Sequence, residues 1–228
     1  VSKLLDLTLT GRDCGLKERA PMCGIPYHAA DNYIARLVSM GERVAICEQL
    51  TEPTAGRGMV ERDVIRVVSA GTVIEENQLD ERRNNFVACA ALTDDGYAVA
   101  WADITTGEFC ATEEENREGV LSALMNLSVA EVICNDKLLL EVRDDAGAQR
   151  GALPPFSCYL PQAFFYPAAE RDILEQFKSA SLDALGIKAH SPVVSAAGAL
   201  LEYLKETQKH ARSNTIRLRL VDGRKSMS

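Results

Sequence analysis

Three carboxylates stand at the edges of apolar runs: Asp103 late in one strand-like run, Glu108 at the start of the next, and Glu131 near a later one. Carboxylates that converge can hold two divalent cations about 3.5 to 4 Å apart and hydrolyse a phosphodiester, so a metal-dependent nuclease is the enzymatic reading. Asp103 has a simpler role open to it. Thr105, Thr106 and Gly107 follow closely, and an aspartate in that position hydrogen-bonds the backbone of its own turn. Other catalytic patterns are absent. The sequence has no G-x-x-x-x-G-K-[ST], Gly223-Arg224-Lys225-Ser226 imitating only its tail, and no GxSxG or Cys/His pair at a recognisable spacing. No catalytic residue is assigned, and nucleotide hydrolysis is excluded for this stretch of chain.

Seven cysteines lie at 14, 23, 47, 89, 110, 134 and 158 without a CxxC pair, which argues against a zinc cluster, and no metal site is assigned. Cys47, Cys89, Cys110 and Cys134 sit inside apolar runs, where a free cysteine acts as a small hydrophobe. Reduced core thiols point to the cytoplasm. No run approaches about 18 apolar residues, so no membrane span is expected.

Binding residues gather near the start. Arg12, Lys17 and Arg19 lie in the polar stretch GRDCGLKER, which reads either as a solvated turn or as a loop that touches phosphate and sets register without reading sequence. His28 follows Pro26 and Tyr27 just before a helix start. It is either a local hydrogen-bonding residue or a group at a helix mouth, where free amides attract anions. Charge supports this placement. The net charge is -8, yet residues 1 to 70 hold 9 Lys+Arg and 9 Asp+Glu, so the remainder carries the whole acidic excess. Affinity for phosphate backbones comes from cations, so contact with nucleic acid belongs to the first segment.

The elements that must position these residues are readable in order. Residues 1 to 10 alternate Leu5, Leu7 and Leu9 with polar neighbours and predict a strand. Pro21, Gly24 and Pro26 set a loop, and Ile34, Leu37 and Val38 mark a helix with Asp31 in its first turn and Gly41 as its stop. Val44 to Cys47 predicts a buried strand, 50 to 58 a loop, and Val60 to Val68 another strand. Strands are expected at Phe86 to Leu92, Tyr97 to Ile104 and Glu108 to Thr112, with hairpin turns between them. A helix through Val120, Leu121, Leu124 and Leu127 and a strand at Ala130 to Cys134 follow. Later helices run past Pro167 through Ile173, Leu174 and Phe177, and from Ser191-Pro192 through Val194, Ala197, Leu201 and Leu204. At 228 residues two α/β domains are expected. They are a mixed one over 1–72 and a second over 86–210, joined by a charged linker at 73–85. Three antiparallel strands and then alternating helix and strand is an RNase H-like order. Residues 211–228 are basic, partly strand-like at Ile216, Leu218 and Leu220, and read as a passage to a further domain.

The stretch from Pro21 to Gln49 carries a specific resemblance. GIPYHA, a helix ending LVxxG, RVAICEQ and then VERDVIRVVSAGT are similar to the mismatch-recognition domain of the bacterial MutS family. The likeness continues through DITTG at Asp103 to Gly107 and on to Thr207-Gln208, and is weakest between Lys137 and Lys188. It implies most of the first domain, truncated at its start, followed by the RNase H-like connector. It places the Arg12–Arg19 loop close to DNA and makes His28 the leading contact, with Arg12, Lys17 and Arg19 beside it. Met22 then lies near the minor groove, where apolar wedges act, its other reading being a gap-filler in a core.

The family reads a mispaired base with the phenylalanine and glutamate of a Phe-Tyr-Glu motif. That motif is expected upstream of Val1, and none occurs here; Phe164, Phe165 and Tyr166 fall in the wrong domain. Mismatch recognition is therefore not expected of this stretch alone. In the family the connector couples mismatch binding to an ATPase and docks MutL. Arg171, Asp172 and Glu175, on the charged outer side of the helix after Pro167, are the candidate contact; such a face is otherwise ordinary solvated surface. For the full-length protein the resemblance implies mismatched duplex DNA as ligand, ATP and Mg as cofactors, and a homodimer formed through domains absent here. For this stretch it implies no enzyme activity, no cofactor and no membrane.

Overall fold

The computed structural model describes residues 1–15, 18–50, 62–72, 86–142, 153, 156–207 and 219–222. The chain opens with a single helical turn, α1 (Ser2–Leu5), and the strand expected over residues 1 to 10 is not formed. Asp6 takes a left-handed conformation (φ 54°, ψ 47°) that ends the turn, and Ser2 Oγ donates to the Leu7 carbonyl at 2.7 Å. Leu5 is thereby buried while Leu9 stays 62% exposed, so the alternating leucines never share a sheet face.

Strands β1 (Thr10–Arg12) and β2 (Ala20–Met22) form an antiparallel hairpin. A 3-10 turn, Tyr27–Ala29, runs into α2 (Ala30–Ser39), and Gly41 (φ 83°) closes that helix as its position predicts. β3 (Val44–Gln49) and β4 (Arg62–Val68) pair antiparallel with a register shift between Ile46 and Cys47. β3 forms where expected but is not buried. With one neighbouring strand and α2 to pack against, it leaves Ala45 and Cys47 to Gln49 exposed, so Cys47 is not a core thiol. The expected loop at 50 to 58 and linker at 73–85 lie outside the described residues, apart from Leu50.

The second unit is a six-stranded mixed sheet in the order β10-β7-β6-β5-β8-β9. Its strands are β5 (Phe86–Thr93), β6 (Gly96–Asp103), β7 (Glu108–Glu114), β8 (Glu131–Cys134), β9 (Phe156–Cys158) and β10 (Arg219–Asp222). β5, β6 and β7 are antiparallel neighbours, and β8 and β9 add parallel to β5. This is the RNase H-like order. β10 pairs parallel with the outer edge of β7, so Arg219–Asp222 joins this sheet; Ile216 lies outside the described residues.

Helices cover both faces. α3 (Arg117–Leu127) and α4 (Asp136–Val142) pack on Ala88, Val99, Trp101, Cys110 and Val132. α5 (Tyr166–Phe177) and α6 (Pro192–Thr207) pack on Val87, Ala100, Ala102, Phe109 and Ile133. The central strands carry fully buried alanines, which let α6 approach closely. Where α5 crosses α6, a Cβ at Gly198 would stand 2.6 Å from Ala169 Cα, so only glycine fits. At the start of α6, Ser191 Oγ accepts from Val193 N at 3.2 Å, as a capping serine does.

Candidate nucleic-acid interface

The first unit presents its functional candidates on one hairpin and the turn that follows it. Cross-strand pairing sets Thr10 opposite Met22, Gly11 opposite Pro21 and Arg12 opposite Ala20. Thr10 Oγ1 donates to the Met22 carbonyl at 2.8 Å and fixes that end. At the other end Asp13 Oδ1 accepts from Gly15 N at 2.9 Å, with Gly15 at φ 75°. Glycine at position 11 leaves room for Arg19, whose Cβ lies 3.1 Å from where a Gly11 Cβ would be. Arg12 and Arg19 are exposed at this end of the hairpin; Lys17 lies outside the described residues.

Met22 is 45% exposed, which removes its reading as a core gap-filler in this chain. His28 is exposed on the 3-10 turn and makes no hydrogen bond to another described residue. Neither that turn nor α2 has a side chain capping its start, so the mouth of the helix is open, although Asp31 adds a negative charge there. Tyr27, not singled out from sequence, is 91% exposed beside His28. It borders an open recess with Cys47, Glu48, Gln49 and Arg62. The available signal was a tyrosine between Pro26 and His28 in a loop set by Pro21, Gly24 and Pro26, where no apolar periodicity assigns it to a core face.

The three carboxylates of the nuclease reading do not converge on one site: Asp103 and Glu108 are cross-strand neighbours, and Glu131 lies on the opposite face. Asp103 pairs with Glu108 and with Phe86, and so projects to the α3/α4 face with Trp101; Glu131 pairs with Val87 and projects to the α5/α6 face. Asp103 is 1% exposed and holds its own turn. Its Oδ1 accepts from Thr105 N at 2.8 Å, Thr105 Oγ1 at 2.5 Å and Thr106 N at 3.3 Å. Glu131 is occupied by protein donors, Ser69 and Tyr203 among them. Burial, with the Glu131 carboxylate next, pushes the Tyr203 phenol well above its usual range, so it remains a donor.

On α5, Arg171 and Glu175 are exposed one helical turn apart. Asp172 is half-buried on the flank and accepts from Arg171 at 3.2 Å. The three therefore share one edge of the helix.

Comparison with known proteins gives these surfaces their context. The family model described as MutS domain I matches residues 1–77, and that described as MutS domain II matches residues 85–217. The DNA mismatch repair protein MutS of Lachnoclostridium phytofermentans is 42% identical over 218 residues, 93% of this chain and 23% of its own length. That of Pelotomaculum thermopropionicum is 46% identical over 215 residues, 91% of this chain and 24% of its own length. That of Caldanaerobacter subterraneus subsp. tengcongensis is 37% identical over 227 residues, 96% of this chain and 25% of its own length. The chain spans about a quarter of the curated relatives it matches. Two domain matches in the same order, over a hairpin-bearing first unit and an RNase H-like second, make this chain a member of the MutS mismatch repair family, covering its domains I and II.

Proposed function

We propose that the first unit contacts duplex DNA, and that the second is a connector that transmits the bound state and offers a docking surface to MutL. The observation that carries the DNA reading is the shared exposure of Arg12, Arg19, Met22 and His28 on one hairpin-turn segment of the unit without net negative charge. Cations there neutralise phosphate, and an exposed methionine beside them suits a groove wall. No Phe-Tyr-Glu occurs in the 228 residues, so matched and mismatched duplexes are expected to bind alike. The whole protein would be an ATP- and Mg-dependent homodimer. The residues here do not fit that cofactor: no G-x-x-x-x-G-K-[ST] is present, and among the described residues no three His, Cys, Asp or Glu side chains could hold a metal. The chain is accordingly proposed as a binding and coupling module of a cytoplasmic protein; among the described residues no helix is long and apolar enough to cross a membrane.

Surface plasmon resonance with duplex DNA and the ATPase domain of the cognate MutL tests both halves. Duplex binding should fall steeply with salt and weaken further in Arg12→Glu/Arg19→Glu and in His28→Ala. Binding that those substitutions leave unchanged would remove the DNA assignment. Saturable MutL binding lost on Asp172→Lys supports the α5 surface; retention of full affinity would place the contact elsewhere. Magnesium-dependent cleavage abolished by Asp103→Asn would restore the nuclease reading, against the opposed faces of Asp103 and Glu131.

A further inference from the structure

The turn that leaves β4 is held by a carboxylate of the second unit. Glu131 opens β8, is 8% exposed, and accepts three hydrogen bonds from two segments far apart in the chain. Its Oε2 takes Ser69 Oγ at 2.5 Å and the Gly71 amide at 3.4 Å, and its Oε1 takes the Tyr203 hydroxyl at 2.7 Å. Ser69 is 1% exposed and Thr72 is fully buried; Thr72 Oγ1 accepts from Ser69 N at 2.9 Å and lies 2.8 Å from Ser69 Oγ. Space is as tight as the bonding. A Cβ at Gly71 would run into the Val87 side chain and come within 3.3 Å of Glu131 Cβ. α6, which carries Tyr203, also packs against β4.

A buried carboxylate is tolerated only when donors satisfy it, and each donor lost leaves the others imperfectly paired. Here one donor belongs to the second unit's own helix and two belong to the turn by which the chain leaves the first unit, so the satisfaction of Glu131 depends on the pose of residues 69–72. We infer that Ser69, Glu131 and Tyr203 form a latch that fixes the first unit on the connector sheet, making Glu131 a positioning residue for the DNA-facing hairpin. The last clause rests on the proposed DNA contact; the latch itself does not. Such a junction lets a displacement of the first unit be felt at β8 and α6, the two elements that Glu131 and Tyr203 anchor.

The test places two bio-orthogonal spin labels on this chain, at exposed Asn32 of α2 and exposed Leu140 of α4, and reads their distance distribution. The unsubstituted chain should give one narrow distribution. Ser69→Ala and Glu131→Ala should broaden it and speed amide exchange at residues 69–72 by about 100-fold, a local opening rather than global unfolding. Glu131→Gln, which keeps one carbonyl acceptor, should fall between. Tyr203→Phe removes a donor with almost no loss of volume and serves where Glu131→Ala fails to fold, with the fluorescence of the sole tryptophan, Trp101, reporting that the connector is intact. An unchanged distribution and unchanged exchange in Ser69→Ala and Tyr203→Phe would overturn the latch. Duplex binding is measured on the same variants. If the unsubstituted chain binds no duplex, the DNA reading fails while the distances still decide the latch; if distances broaden but duplex affinity holds, Glu131 does not position the hairpin.

Discussion

The two halves of this chain stabilise themselves in opposite ways. In the first unit the hydrophobic cluster beneath α2 contains two buried residues, Val38 and Val68, with Ile34, Val44, Ile46 and Ala70 partly covered. Among the described residues its two sheets have two strands each, an arrangement marginal in isolation. In the second unit one sheet is covered on both faces, and Trp101, Phe109, Leu124, Ile133 and Leu200 are all fully buried. Under the proposed DNA contact, side chains that meet the ligand cannot also fill a core; the first unit has little burial, and its exit turn is held by polar groups of the unit that has burial to spare.

The largest expected contrast is in thiol reactivity. Cys14 and Cys47 are exposed in the first unit, whereas Cys89, Cys110 and Cys134 are buried in the second. Burial, then the neighbouring Cys134, pushes the Cys89 thiol up, and burial pushes Cys134 up to about 12. Alkylation of the folded chain followed by peptide mapping should modify Cys14 and Cys47 at least about 1000-fold faster than Cys89 or Cys110. Cys158 refines the comparison. It is exposed, yet partial burial and its hydrogen bond to Asp136 at 2.8 Å push it up to about 11. The thiol form persists to high pH, so at pH 8 about one molecule in a thousand carries the thiolate, and labelling should rise about tenfold per pH unit toward 11. Rapid labelling of Cys158 at pH 8 would break this reading.

Next in size is the cost of removing a core side chain. Leu200→Ala, at a fully buried position of α6, should lower unfolding free energy by about 2 to 5 kcal/mol in urea titrations followed by Trp101 fluorescence. Val38→Ala should leave that transition within about 0.5 kcal/mol and instead speed amide exchange in α2 and β3. Equal shifts of the tryptophan transition would show that the two units unfold as one and that the contrast in packing has no thermodynamic consequence.

What the sequence disclosed follows the same division. In the second unit, β5, β6, β7 and α3 form within a few residues of the expected positions because long apolar runs and glycine-bearing turns leave one arrangement. α4 and β9, seven and three residues long, were missed: elements so short take their shape from the sheet they join, Asn135 for instance accepting from Leu138 N at 3.1 Å while donating to the Leu92 carbonyl. In the first unit the leucine alternation at 5, 7 and 9 misled, since no sheet face was present to reward it. The resemblance located the exposed segment around His28, but pattern alone had no access to the latch. Ser69, Glu131 and Tyr203 are 62 and 72 residues apart along the chain, and a serine before a glycine turn, a glutamate opening a strand and a tyrosine on a helix are each unremarkable until the fold brings them together.

The smallest effect concerns the edge of α5 proposed for docking. The Arg171–Asp172 pair closes at 3.2 Å between side chains 72% and 19% exposed, neighbours in sequence with water on one side. Solvent screens such a pair and two flexible side chains lose freedom to make it, so its coupling is expected at about 0 to 0.5 kcal/mol. A double-mutant cycle of Arg171→Ala and Asp172→Ala, read by the tryptophan transition in urea, measures it directly. A coupling above about 1 kcal/mol would make the pair part of the connector's structure and explain its placement without a partner. A negligible coupling combined with a large loss of MutL affinity in either single variant would mean that this edge, like the hairpin around His28, holds charges on its surface for a ligand rather than for the fold.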